Sequence, residues 1–233
     1  MSSEKLSKVI RQQADPEYAI HSQRFFKTGK GEYGEGDQFL GVRVPQLRKL
    51  VRKYNELSLI EIQKLLKSTY HEERLCALLL LVQKFENSKH EKSVIFKLYL
   101  NNTKYINSWD LVDCSAYKIV GVYLEDKNKS PLYKLARSKD LWQRRIAIIS
   151  TLHFIKNEQY DDALEIAKKL LQDKEELIHK AVGWMLREVG NRAPEVERGF
   201  LLNHYRKMPR MMLRYAIEKF PEPERKKYLQ GRV

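Results

Sequence analysis

Apolar residues recur along this chain at steps of three and four almost from end to end. That spacing places side chains on one face of an α-helix, and no stretch shows the strict alternation of a half-buried strand, so the expected class is all-α. Punctuation residues mark the helices. Asp15-Pro16 supplies an N-cap followed by proline at the first helical position and opens a helix to about residue 27. Pro45 opens another through 54, and Ser58 caps one carrying Leu59, Ile62, Leu65 and Leu66 on a single face. Further helices are expected over 71–85, 88–99, 108–123, 131–137, 140–154, 161–171, 174–189, 194–205 and 209–220, with a short segment from Pro223. The short connections favour antiparallel neighbours.

A longer period lies beneath the helical one. Glu73-Arg74-Leu75-Cys76-Ala77, Arg144-Arg145-Ile146-Ala147-Ile148 and His179-Lys180-Ala181-Val182-Gly183 align, with Arg74, Arg145 and Lys180 spaced by 71 and 35 positions. Trp109-Asp110 and Arg214 fall near the missing steps. A repeat of about 35 residues built from two helices is the signature of an α-solenoid, whose second helices line one concave wall. A plain helical bundle is the alternative, but it does not require such even spacing. The expectation is a single repeat domain over residues 1–233.

Composition narrows the partners. The chain has 44 Lys and Arg against 30 Asp and Glu, a formal charge of +14. This balance favours polyanions, nucleic acid first, although a basic surface alone also occurs on proteins that bind none. Cys76 and Cys114 lie in apolar helical contexts and read as small core residues of a reducing compartment. No apolar leader follows Met1 and the longest apolar run, 76–82, is too short to span a bilayer. A soluble cytoplasmic monomer, nucleoid-associated when bound to DNA, is therefore expected, with no membrane partner.

Most enzyme classes find no support. His21, His71, His90, His153, His179 and His204 are scattered, neither cysteine sits in a C-x-x-C, and there is neither a Walker loop nor a G-x-S-x-G elbow. No metal and no cofactor are expected. Gly29-Lys30-Gly31-Glu32-Tyr33-Gly34 matches G-x-G-x-x-G, but that fingerprint needs a preceding strand and here an amphipathic helix precedes it. A flexible inter-helix loop is the expectation over Gly29 to Asp37.

The remaining chemistry is aromatic and ionic. Trp109 and Asp113 stand four residues apart, one helical turn, on one face. Lys180, Trp184 and Arg187 form a basic and aromatic stripe, and Trp142 lies three residues before Arg145, beside Arg144. Cations can neutralise phosphates while Trp packs on sugars or bases; equally, each Trp can be a core anchor and each cation a solvated flank. If Ser108 caps its helix, Asp110 falls in the first turn, where the dipole welcomes an acid. Asp113 lies beyond that turn, and a buried aspartate must be paired, with Arg145 one repeat later an obvious partner. The alternative is that neighbouring cations keep Asp113 ionised, ready to stabilise developing positive charge or orient water.

At these residues the chain resembles the AlkD-like DNA alkylation-repair glycosylases, proteins of HEAT repeats that excise alkylated purines. Four blocks carry the likeness: Phe39-Leu40-Gly41-Val42-Arg43-Val44-Pro45-Gln46-Leu47-Arg48, Ser108-Trp109-Asp110-Leu111-Val112-Asp113, Leu141-Trp142-Gln143-Arg144-Arg145, and Lys180-Ala181-Val182-Gly183-Trp184-Met185-Leu186-Arg187-Glu188. The resemblance implies a right-handed α-solenoid of HEAT-like two-helix repeats with a concave basic face. It also implies hydrolysis of the N-glycosidic bond of cationic N3- and N7-alkylpurines in double-stranded DNA, without flipping the base into a pocket. Asp113 would then be the catalytic carboxylate, Trp109 and Trp184 would flank the deoxyribose, and Arg145 would hold the backbone. Arg43, Arg74, Arg144, Lys180, Arg187 and Arg214 are the candidate DNA-binding cations.

The best-known members offer a Tyr near the lesion from an N-terminal helix; this chain has Phe25 and Phe26 there, with Tyr33 in the glycine-rich loop a potential substitute. Two rival readings are a non-catalytic HEAT-repeat module for branched or distorted DNA and a protein-binding scaffold, the ordinary use of solenoids.

Overall fold

The computed structural model describes residues 1–233 as helices joined by turns and, between Phe25 and Val44, a long loop, with no strand and one isolated parallel bridge between Gln38 and Tyr70. The chain forms two compact units, Met1–Ser115 and Ala116–Val233.

In the first unit the helices are α1 (Ser3–Arg11), α2 (Pro16–Phe25), α3 (Val44–Lys53), α4 (Leu59–Leu66), α5 (His71–Asn87), α6 (Lys92–Asn101) and α7 (Trp109–Asp113). The caps expected from sequence are made. The Asp15 side chain accepts from the Tyr18 amide at 3.0 Å, and Ser58 Oγ accepts from the Glu61 amide at 3.4 Å. Helix α5 is the hub, packing on α1, α3, α4, α6 and α7. Its surroundings explain its near-uniform burial from His71 to Leu78. Helix α1 was not among the helices expected from sequence. Leu6 and Ile10, one turn apart and fully buried, seat it, and Glu73 of α5 accepts from Ser7 Oγ (2.5 Å) and Arg11 Nε (2.8 Å).

In the second unit a turn of π-helix over Tyr117–Gly121 leads into α8 (Val122–Leu124), then α9 (Ser130–Leu135), α10 (Leu141–Ser150), α11 (Leu152–Lys156), α12 (Asp161–Lys169), α13 (Glu176–Gly190), α14 (Pro194–His204), α15 (Arg210–Ala216) and α16 (Glu222–Gln230). Helix α13 is central, packed on α10, α12, α14 and α15. Gly183 sets the approach of α15: a Cβ there would stand 2.5 Å from both the Met212 carbonyl oxygen and Tyr215 Cβ.

Two long helices expected from sequence are broken. The 108–123 stretch ends its first helix at Asp113, where Ser115 Oγ bonds back to the Leu111 carbonyl at 2.5 Å. The 140–154 stretch divides at Thr151, where Ser150 and Thr151 hydroxyls take the carbonyls of Ile146 and Ile148, each at 2.6 Å. Hydroxyls that bond back to the preceding turn bend or interrupt helices, a competition that apolar periodicity does not register.

Candidate active site

Helix α7 is anchored by Leu111 and Val112, both fully buried, which leaves Trp109, Asp110 and Asp113 half-buried. Ser108 has the extended backbone of an N-cap, but its hydroxyl is buried and makes no cap bond. The first turn is held instead by Asp110, whose Oδ2 lies 2.8 Å from His71 Nε2. The other ring nitrogen of His71, Nδ1, is 2.8 Å from Asp37 Oδ2, and Arg74 Nη2 donates to Asp37 Oδ1 at 2.6 Å.

Aromatic rings enclose this bridge. Phe39 stacks on the His71 imidazole with centroids 4.4 Å apart, Phe26 stacks on Phe39 at 5.0 Å, and Trp109 stacks on Phe26 at 5.2 Å. Phe25 meets Trp109 edge-on at 5.9 Å and remains 59% exposed. The rings of Tyr18, Phe25, Phe26, Phe39 and His71, with Asp110, border a cavity of about 250 Å³. The loop that supplies Asp37 and Phe39 is fixed by Glu72, whose carboxylate accepts from the amides of Leu40, Gly41 and Val42. Gly41 is required there: its φ is +80°, and a Cβ would stand 2.1 Å from the Asp15 carbonyl oxygen. The preceding glycine-rich loop is closed by its own acids, Glu32 accepting from the Gly29 amide and Glu35 from that of Gly31, both at 2.8 Å.

The electrostatics follow from this packing. Burial pushes the His71 imidazole down, but the charge and hydrogen bond of Asp110, with those of Asp37, outweigh it and lift the group to about 9. Burial pushes Asp37 up, yet His71 and Arg74 hold its carboxyl below the usual range. At neutral pH, His71 is therefore an imidazolium between two carboxylates.

In the first unit, then, Trp109 and Asp113 share α7, while Arg43 is exposed with its guanidinium over the Tyr18 ring at 4.7 Å. Arg74 is buried and bound to Asp37 and to the carbonyls of Ser68 and Thr69.

In the second unit, α13 carries Lys180, Trp184 and Arg187. Lys180 pairs with Glu176 at 2.5 Å, Trp184 is half-buried with its Nε1 donating to Glu188, and Arg187 pairs with Glu218. Arg145 is buried on α10 and donates to the Leu177 carbonyl at 2.6 Å, while Arg214 is exposed on α15. Arg144 is half-buried, and its fork is bound to Asp173 and to the carbonyls of Ser138 and Lys139, which ties α10 to the loop before α13. Sequence reasoning missed Asp37 and His71, because the partners in the bridge are 34 and 39 residues apart and no spacing rule joins them.

The DNA alkylation repair enzyme family matches residues 6–220 of the chain. The chain belongs to this family. Among solved structures, a predicted DNA alkylation repair enzyme from Enterococcus faecalis is 20% identical and superposes with a TM-score of 0.71, over 90% of this chain and 98% of that one. A Streptococcus mutans protein, smu.31, is 15% identical with a TM-score of 0.53, over 94% of this chain and 99% of that one. At these identities the likeness concerns the fold. No curated protein matches. This member of the alkylation-repair family has no group of His, Cys, Asp and Glu arranged to hold a metal ion, and none of its helices is long and apolar enough to cross a membrane.

Proposed function

We propose that this alkylation-repair protein is a monofunctional DNA glycosylase that hydrolyses the N-glycosidic bond of cationic N3- and N7-alkylpurines in duplex DNA without taking the base into a pocket. The observation that carries the reading is helix α7, which presents Trp109 and Asp113 together from a short segment locked by Leu111 and Val112. An alkylated purine is already cationic and leaves readily, so the enzyme needs no general acid. As the C1′–N bond breaks, positive charge develops on the sugar. Asp113 supplies a fixed counter-charge and a seat for the water whose oxygen bonds to C1′, and that water's proton passes to solvent. The faces of Trp109 and Trp184 attract the polarised C–H groups of the oxocarbenium-like sugar. Arg145 holds the backbone beside the lesion, and Arg43, Lys180, Arg187 and Arg214 contact phosphates, with Lys180 and Arg187 exchanging their carboxylate partners for DNA. The enzyme acts as a monomer.

The test is release of 7-methylguanine and 3-methyladenine from methylated duplex DNA by wild type and Asp113→Asn. Wild type releases both bases, while the variant binds the DNA and releases neither. Release by the variant at the wild-type rate overturns the role of Asp113. Binding without release by either protein points to a non-catalytic module for distorted DNA.

A further inference from the structure

We propose that His71 is a positioning residue for base excision: bridging Asp37 and Asp110, it fixes the first turn of α7 and the ring stack beneath Trp109, and both bonds are needed to present Trp109 and Asp113. The inference rests on the glycosylase reading of the same helix.

Asp110 holds the first turn of α7 through a single side-chain hydrogen bond, from Oδ2 to His71 Nε2, and its Oδ1 is buried without a partner. Ser108 makes no cap bond, so this ion pair is the side-chain tether of the α7 N-terminus. Asp37, by contrast, has three donors: His71, Arg74 and the Gln38 amide at 2.9 Å. His71 thus ties the first turn of α7 to a firmly held loop.

Only an imidazolium has two N–H donors. After proton loss, one carboxylate faces a ring lone pair at hydrogen-bond distance, whichever nitrogen keeps the remaining proton. The ring must then shift, and it cannot shift alone. Phe39 lies on its face and Phe26 lies against both Phe39 and His71, with Trp109 next in the stack. Packed interiors transmit such movements.

The charged groups around His71 come from each neighbouring segment. Asp37 and Arg43 stand on the loop before α3, Glu72 and Arg74 on α5 itself, Asp110 on α7, and Tyr18 and His21 line the cavity from α2. The strong coupling is to the two aspartates, which raise the group to about 9 against the effect of burial. Protonation is thus retained at neutral pH and lost only in alkali.

The test combines two readouts from about pH 6 to 10, a range spanning the ordinary and the raised histidine values. The first follows the Trp109 indole and the His71 ring nitrogens by NMR in the DNA-free protein. The second is single-turnover excision of 7-methylguanine from a duplex, with uncatalysed loss subtracted and the fold followed by circular dichroism. In wild type the indole signal tracks His71 titration, and excision falls about tenfold per pH unit above the His71 midpoint. Asp110→Asn removes one of the charges that raise His71, so both midpoints move down in pH together. His71→Gln, with a single amide to offer, is slow and has no alkaline fall at that midpoint.

An indole that ignores His71 titration overturns the coupling whatever the activity. Excision that stays level through the His71 midpoint reduces the residue to a structural one. Absence of excision at every pH, with the indole still following His71, overturns the glycosylase reading while the coupling to Trp109 stands.

Discussion

Phe26 and Trp109 lie face to face, their centroids 5.2 Å apart and their planes 16° from parallel. Phe26 follows the last residue of α2, in the region where the resemblance anticipates a tyrosine near the lesion. Here the ring has no hydroxyl and serves as a plate beneath Trp109. Replacing it by alanine removes a stacked pair worth about 1 kcal/mol and frees the indole to rotate. Phe26→Ala is expected to retain its fold and DNA affinity but lose on the order of 10²-fold in excision, the cost of a misplaced group at a reacting centre. Phe26→Tyr keeps the plate and restores most of the rate. Single-turnover kinetics on a methylated duplex distinguish the two variants.

Close helix packing in the second unit depends on a missing side chain. Gly183 faces backbone on α15, and the 2.5 Å separation a Cβ would have from the Met212 carbonyl cannot be relieved by a rotamer change. Gly183→Ala should therefore destabilise the protein by about 1–3 kcal/mol through overpacking, even though alanine is the better helix former. Denaturant titration gives the value; an unchanged midpoint would show that α15 slides away freely.

Much of the fold was legible because its signals are local. Asp15 and Ser58 were readable as caps, and both accept backbone amides at helix starts. Breaks inside apolar stretches were not readable, since Ser115, Ser150 and Thr151 compete for carbonyls without altering the periodicity. In the site, Trp109 and Asp113 could be paired because one helical turn joins them. The bridge through His71 could not, because it depends on where a loop fixed by Glu72 brings Asp37. Residues that align in the sequence also differ in their chemistry. Arg74 is consumed by a buried aspartate, whereas Lys180 pairs with a largely exposed glutamate and remains half-buried.

Glu197 gives the second unit a pH dependence of its own. Its side chain is buried against Gly190, Oε1 has no hydrogen-bond partner, and burial pushes the carboxyl up to about 8 despite Arg198 and Arg187. Between its ordinary value of 4.5 and about 8 the native protein keeps a proton that the unfolded chain has released. Stability therefore declines as pH rises through that window and changes no further above it. Glu197→Gln keeps the neutral shape and removes the decline, so its advantage over wild type grows to on the order of 1–3 kcal/mol in mild alkali and vanishes in mild acid. Thermal unfolding of both proteins at a series of pH values measures this difference directly.

Arg74 and Arg214 make opposite predictions although both were candidate DNA ligands. Arg74 is buried with Asp37, so Arg74→Ala leaves that carboxylate with His71 and the Gln38 amide as donors and should cost about 1–3 kcal/mol of stability. It should also raise His71 further, because the imidazolium loses a neighbouring positive charge and becomes the remaining cation on Asp37. Arg214 is exposed on α15, so Arg214→Ala should leave unfolding unchanged. If its guanidinium contacts a phosphate, the slope of log K against log salt for duplex DNA should become shallower by about 0.9, the loss of one counterion released on binding. Fluorescence anisotropy across a salt series reads the slope, and calorimetry reads the stability. A shallower slope for Arg74→Ala at full stability would mean that its side chain leaves Asp37 to meet DNA. An unaltered slope for Arg214→Ala would remove that residue from the interface.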